Sequence, residues 1–280
     1  SMIALGQDRR ALTSAFQYLI MGSVGATFIV IGIGLLFVMT GTLGMADLAE
    51  RIPAIWASGD GDRTIAVAFT FLTVGVTLKL ALFPLHLWLP NAYTYAPSAV
   101  TGYMAATSTK VSIYLLLRFF FSVFGGEFSF EQMRLDSILM PLALISILAM
   151  SSVAIYQSNV KRLLAFSSVA QIGYMILGIS FGSVIGVAAG IIHLFNHALM
   201  KGALFMAMGC VMYRIGSVRI EDMKGLGKSM PWTMAAFVGG GLSMIGVPLT
   251  VGFVSKWYLL QAAIKGGNWL AAVVVVVGSL

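Results

Sequence analysis

Long apolar runs separated by short polar turns dominate the 280-residue sequence. The runs lie at about 14–40, 64–83, 98–124, 137–156, 163–181, 186–213 and 231–263, with a shorter one starting at Trp269. Crossing the hydrocarbon layer takes roughly 20 residues of helix, and in lipid every backbone amide must find its partner inside the segment or a closed barrel. The pattern therefore predicts an all-α, polytopic transmembrane helix bundle of about seven full spans, with no role for barrel strands. Residues 1–6 read as the tail of a helix, and the run after Trp269 is too short to span. Both ends accordingly read as cut, and residues 1–280 as a fragment of one transmembrane domain.

Two runs carry internal breaks. The second is followed by Phe83-Pro84-Leu85-His86-Leu87-Trp88-Leu89-Pro90, and the seventh is interrupted by Gly246-Val247-Pro248. A proline inside a helix removes an amide donor and clashes with the preceding turn. In lipid the freed carbonyls are tolerated where they face protein or a wet cavity. A pair of broken helices therefore points to an ion path, with Pro84, His86 and Pro248 as candidate channel lining.

Composition narrows the class further: 59% of the residues are apolar and 10% charged, with a mean hydropathy of +0.95. A soluble domain carries about 25% charged residues, so this balance argues against one. The net charge of +7 raises nucleic acid as a partner, but the basic residues are dispersed and form no stripe. The charge reads as membrane topology instead. Loops on one side hold Arg9, Arg10, Lys161, Arg162, Arg214, Arg219, Lys224 and Lys228; loops on the other hold Arg51, Arg63, Arg134 and Lys265. Lysine and arginine gather on the cytoplasmic side, which places the loops 6–13, 157–162 and 214–230 in the cytoplasm of a multi-pass cell-membrane protein. The one cysteine, Cys210, lies in an apolar run, so neither a disulfide framework nor a cysteine metal site is available. Redox chemistry within the chain is not expected.

Four lysines, Lys79, Lys110, Lys201 and Lys256, sit inside apolar runs, while every Asp and Glu falls in or beside a loop. Lys110 is about 12 residues into its run, roughly 18 Å at 1.5 Å per residue, which is near mid-membrane. An ionisable group at that depth costs about 2.5–3.5 kcal/mol on insertion scales. Burial disfavours the charged amine, so such lysines suit proton exchange at cellular pH. The plainer reading is that each lysine pairs with a carboxylate or carbonyl to fix helix packing. Four lysines on four helices, two of them beside breaks, favour the functional reading.

His193, His197 and Lys201 follow at i, i+4 and i+8, on one face of the sixth run, with neighbouring Cβ atoms about 5–6 Å apart. Direct hydrogen bonds among them are not expected at that spacing; single waters would bridge. Histidine titrates near pH ~6.5, so the row reads as a proton wire leading to a lysine. Two other readings stay open. Histidines at i, i+4 are half of a zinc site, although no glutamate follows His193 and His86 is the only further histidine. The row also suits plain packing. His86 either lines the cavity or bonds a freed carbonyl. Gly239-Gly240-Gly241 lacks the Lys-Ser/Thr of a phosphate loop and reads as close packing. Tyr95, Tyr114 and Tyr174 read as interfacial or packing aromatics.

Five motifs, in order, carry a family resemblance. They are Lys79-Leu-Ala-Leu-Phe-Pro84-Leu-His86-Leu-Trp88-Leu-Pro90 with Ala96-Pro97, and Thr109-Lys110 before Tyr114-Leu-Leu-Leu-Arg118-Phe119. The third is Val160-Lys161-Arg162-Leu-Leu-Ala-Phe-Ser-Ser with Gln171-Ile-Gly-Tyr174. The fourth is the His193, His197, Lys201 row with Leu204-Phe205, and the last is Gly246-Val-Pro248 with Gly252-Phe253 and Ser255-Lys256. Together they resemble the antiporter-like family: the large membrane subunits of NADH:quinone oxidoreductase (complex I) and of Mrp-type multisubunit cation/proton antiporters. The resemblance implies proton translocation, exchanged for a monovalent cation such as Na⁺, by a subunit that works with other membrane subunits in the bilayer. It implies no cofactor, no metal, no nucleic acid and no covalent chemistry, so the chain alone is not read as an enzyme; in complex I the redox steps belong to other subunits. By the same resemblance Lys79 is the lysine that pairs with a glutamate on an earlier helix, expected before residue 1. Lys110 is the connecting lysine, His193, His197 and Lys201 are the central relay, and Lys256 is the terminal ionisable residue. Tyr18-Leu-Ile-Met-Gly22 and the segment from Gly246 to Tyr258 look most like the D-type subunit of Mrp antiporters, with an N- or M-type subunit of complex I as the alternative.

Overall fold

The apolar runs fold as α-helices, and no strand forms among the described residues, 1–6, 8–59 and 61–279, of the computed structural model. A short 3₁₀ turn at Met2–Gly6 leads into α1 (Arg9–Thr40), α2 (Met45–Ser58), α3 (Asp62–Leu80), α4 (Trp88–Tyr95) and α5 (Ser98–Leu117). There follow α6 (Leu135–Ile155), α7 (Val160–Ser180), α8 (Val184–Ile215), the short α9 (Leu226–Ser229), α10 (Pro231–Ile245), α11 (Val251–Lys265) and α12 (Trp269–Val277). Gln7 in the loop 6–13, Asp60, and Leu280 at the end of the last run lie outside the described residues. Among the described residues, α1, α3, α6, α7 and α8 are each long and apolar enough to cross a membrane.

Most expected spans reappear within a few residues, and the departures have local causes. The third run ends its α-helix at Leu117 and widens into a π-helical turn over Arg118–Val123. The seventh run is two helices, because Gly246 adopts φ +90° and Leu249 φ +73° on either side of Pro248. The second run stops at Leu80, where Ala81 takes a left-handed conformation and Leu82 N–H bonds back to the Thr77 carbonyl at 3.1 Å. The carbonyl of Leu78, exposed by that break, accepts from the Trp88 indole at 3.0 Å. Helix α2 has no counterpart among the expected spans. It buries Leu48 and Ile52 one turn apart, with Trp56 edge-on to Phe128 at 4.9 Å, and leaves Asp47, Glu50 and Arg51 exposed.

Helix α7 is the centre of the bundle, packed against α6 and α8 along its length and touched by α4 and α11. Helices α1 and α3 form a second pair, α5 links α3 to α8, and α10 and α11 lie on α8. The α7–α8 crossing is backbone to backbone at one end: a Cβ on Gly178 would come 2.7 Å from the Gly186 carbonyl oxygen. Small residues permit this approach where no hydrophobic force joins helices in lipid. Toward the other end the contact between α7 and α8 is made by polar side chains, His193 to Gln171 and Lys201 to Ser167.

The loops expected on the cytoplasmic side meet at that other end. Val160 N–H donates to the Val218 carbonyl at 2.9 Å, and Ile220 N–H to the Ser158 carbonyl at 3.0 Å, while the Arg10 guanidinium sits 6.0 Å from the Tyr95 ring. Among the basic residues expected in these loops, Lys161 is buried. It lies in the first turn of α7, because α7 begins three residues earlier than the apolar run suggests.

Candidate functional site

Helix α8 carries His193, His197 and Lys201 on one stripe, and each is fully buried. Helix α7 answers with polar groups of its own. His193 Nε2 meets Gln171 Oε1 at 2.8 Å, and Lys201 Nζ donates to the Leu164 carbonyl at 2.7 Å and closely to Ser167 Oγ. The third wall is α11, where Ser255 Oγ lies 2.8 Å from His193 Nδ1.

This shell around His193 fits both protonation states of the ring. With the ring neutral, Nε2–H donates to Gln171 and the Ser255 hydroxyl donates to Nδ1. With the ring protonated, Nδ1–H donates to Ser255, whose hydroxyl then turns to the Gly252 carbonyl 3.1 Å away. The His197 ring stacks on that of His193 at 6.3 Å and 16°, and neither of its nitrogens has a partner among the described residues. It lies between two better-anchored groups with both nitrogens buried and unpartnered. The expected lack of direct bonds along the row holds, since each anchored member bonds outward to α7 or α11.

Lys110 is buried on α5, which packs against α8, and its amine donates to the Ala105 carbonyl and to Thr109 Oγ1 at 3.4 Å. Lys256 is buried on α11. It donates to the Met244 and Ile245 carbonyls at 2.7 and 3.0 Å, both freed by the end of α10, and lies 5.0 Å from the centre of the Tyr174 ring. The partners of Lys110, Lys201 and Lys256 are thus carbonyls, hydroxyls and a ring face. No Asp or Glu among the described residues is buried. Carbonyls and hydroxyls accept from an amine whether or not it is charged, so this lining does not lock the lysines in one state.

The other sequence candidates lie elsewhere. Lys79, at the end of α3, is half-buried against Gly25 of α1 and has no polar partner among the described residues. His86 is buried in the break, stacked on Phe83 at 5.4 Å with Nδ1 unpartnered; the freed Leu78 carbonyl is served by Trp88 instead. Pro84 and Pro248 mark the two breaks and are exposed. The zinc reading finds no group of three histidine, cysteine, aspartate or glutamate ligands among the described residues. Of the two roles open to Tyr174, packing is the one it takes. It is fully buried, 5.6 Å from the His193 ring, with its hydroxyl 3.3 Å from Ser279 Oγ. Of the glycine triad, only Gly240 faces a neighbour, the Leu204 side chain; Gly239 and Gly241 face open space.

Gln171, Ser167 and Ser255 are site residues to which the sequence reading gave no role. For Gln171 a signal existed in Lys161, Ser168 and Gln171, spaced i, i+7 and i+10 along one face of a largely apolar helix. Removing the Gln171 acceptor tests the His193 shell. Gln171→Leu leaves a buried ring nitrogen unpaired, at a cost of about 1–3 kcal/mol. The expected outcome is a lower thermal midpoint of the detergent-solubilised assembly together with slower proton transport.

A multi-pass helical bundle that buries lysines and histidines among its described residues defines the class: a polytopic membrane protein with ionisable groups inside its helices. The family model described as "NADH:quinone oxidoreductase/Mrp antiporter, TM" matches residues 2–280, and the chain belongs to that family. It is 43% identical over 280 residues to the N subunit of the NADH-quinone oxidoreductase of Desulforudis audaxviator, covering all of this chain and 54% of that protein. It is 30% identical to the D subunit of the Na⁺/H⁺ antiporter of Alkalihalophilus pseudofirmus, over all of this chain and 55% of that one. Among solved structures, a chain of the Mrp complex from Dietzia sp. superposes with a TM-score of 0.88 at 31% identity, over 97% of this chain and 48% of that chain. The chain spans about half the length of the relatives it matches. These relatives are subunits of multisubunit membrane assemblies. The expected preference for the D type over the N type is not supported, since the identity to an N subunit exceeds that to a D subunit.

Proposed function

We propose that this chain forms the proton-translocating core of an N-type membrane subunit in a redox-driven respiratory complex. The observation that carries the reading is the buried set of Lys110, Lys201, His197, His193 and Lys256: the partners of His193 and the three lysines accommodate them with or without a proton, and His197, stacked on His193, has no partner among the described residues. Protons pass from Lys110 and Lys201 through the two imidazoles toward Lys256. Lys79, at the first helix break, sets the charge that starts the transfer. The 43% identity to an N subunit supports redox drive over sodium drive. The loops 157–162 and 214–230 face the cytoplasm in this reading, on their basic charge.

A second reading, a D-type subunit that exchanges protons for Na⁺, is favoured by the likeness to the Dietzia Mrp complex. Vesicles carrying the whole native complex separate the two. Redox turnover is expected to drive proton uptake, and an imposed Na⁺ gradient to drive none. Proton flux that follows the Na⁺ gradient and ignores electron donors would establish the antiporter instead. In the same vesicles, Lys79→Ala and Lys256→Ala are each expected to slow proton uptake at least tenfold; undiminished uptake in both would remove the relay.

A further inference from the structure

The bundle has one more buried lysine than the sequence motifs of conduction require. Lys161, only 5% exposed, stands in the first turn of α7, and its amine reaches 3.2 Å to the carbonyl of Ala96 just beyond α4. We propose that Lys161 is the cytoplasmic-end proton donor to Lys201; the proposal rests on the relay reading above.

A structural role explains Lys161 poorly. The tie is a single contact to one carbonyl, which also lies 3.3 Å from Thr101 Oγ1, a hydroxyl whose one proton is shared with the nearer Tyr93 and Pro97 carbonyls. A positive charge in the first turn of a helix lies at the unfavourable end of the helix dipole. No Asp or Glu among the described residues is buried to compensate it, and its neighbour in sequence is the cation Arg162. A tie at this point would be better made by a neutral donor.

Its position along α7 fits a relay. Lys201 is anchored to the Leu164 carbonyl and Ser167, and Leu164 is one turn beyond Lys161, about 5 Å along the axis. Ser168, two turns beyond, and Gln171, the partner of His193, continue the same face. Lys161 is therefore the next amine after Lys201 toward the end of the bundle where the basic loops meet. The peptide hydrogen bonds joining 158–160 to 218–220 close over that end. In the transfer, a proton leaves the Lys161 ammonium and joins the neutral Lys201 amine through intervening hydroxyl or water. Lys161 is then reprotonated from the cytoplasmic side, which restores the donor for the next transfer.

The test uses the complete complex in vesicles with three variants. Lys161→Arg keeps the charge and the bond to Ala96 but does not release a proton at cellular pH. Lys161→Gln keeps a donor for Ala96 and carries no proton to give. Both are expected to assemble in normal amount, with an unchanged thermal midpoint, and to transport protons at least tenfold more slowly. A wild-type rate in either assembled variant overturns the proposal, because a carbonyl tie survives both changes. Lys201→Arg, run alongside, separates the levels. If it too transports at the wild-type rate, the relay itself fails; if it is slow while the Lys161 variants are fast, only the role of Lys161 fails.

Discussion

Replacing Lys110 by methionine is expected to cut proton transport by the assembled complex about a hundredfold or more, the scale of losing a positioned proton-transfer group. The same change is expected to leave stability unchanged or slightly raised. Methionine approximates the length of the lysine stem, so the packing of α5 on α8 is preserved. What disappears is a buried amine bonded, among the described residues, to Ala105 and Thr109 of its own helix and to no carboxylate that would offset its desolvation. Replacing buried charge by well-packed apolar atoms is often neutral or stabilising. Transport rates in vesicles and the thermal midpoint of the purified complex give the two numbers. A parallel fall in both would mark Lys110 as a packing element; loss of transport alone marks it as a carrier.

That separation matters because the sequence could locate the lysines but not their surroundings. Spans were legible wherever an apolar run exceeded the membrane thickness, and the breaks wherever proline or glycine removed a helical option. Helix α2 was not, because its Asp47, Glu50 and Arg51 resemble loop charge until Leu48 and Ile52 are seen to share a buried face. Lys161 reads as loop for a similar reason: a Lys-Arg pair at a run boundary resembles topology signal, and only the packing of α4 over α7 buries its first member.

Polar residues inside apolar runs posed a different problem. Gln171 and Tyr174 acquire meaning from the register of α7 against α8 and α11, which no single helix encodes. The same holds for glycine. The conspicuous triad at 239–241 mostly faces open space, whereas Gly178 and Gly186, on different helices, are where two backbones meet. Composition marks which helices have small residues; register decides which of them touch.

Gly252→Ala is expected to cost about 3 kcal/mol or more and to abolish transport, the upper range for forcing atoms into a filled space. A Cβ built on Gly252 would stand 1.7 Å from the Ser243 carbonyl oxygen, which is backbone and has nowhere to rotate. The two halves of the broken helix would have to separate, and the separation would reach the site. Lys256 spans from α11 to the last carbonyls of α10, and Ser255 holds His193, so both contacts lengthen together. Gly241→Ala supplies the control on α10. Nothing lies within 4 Å of its added methyl group, and alanine favours helix over glycine by up to about 1 kcal/mol, so that variant is expected to be neutral or more stable. Thermal midpoints of the two purified variant complexes, with proton uptake in vesicles, decide the point. Equal behaviour of the pair would mean that the α10–α11 junction does not hold Lys256 and Ser255 in place, and that their alignment with His193 comes from α7 and α8 alone.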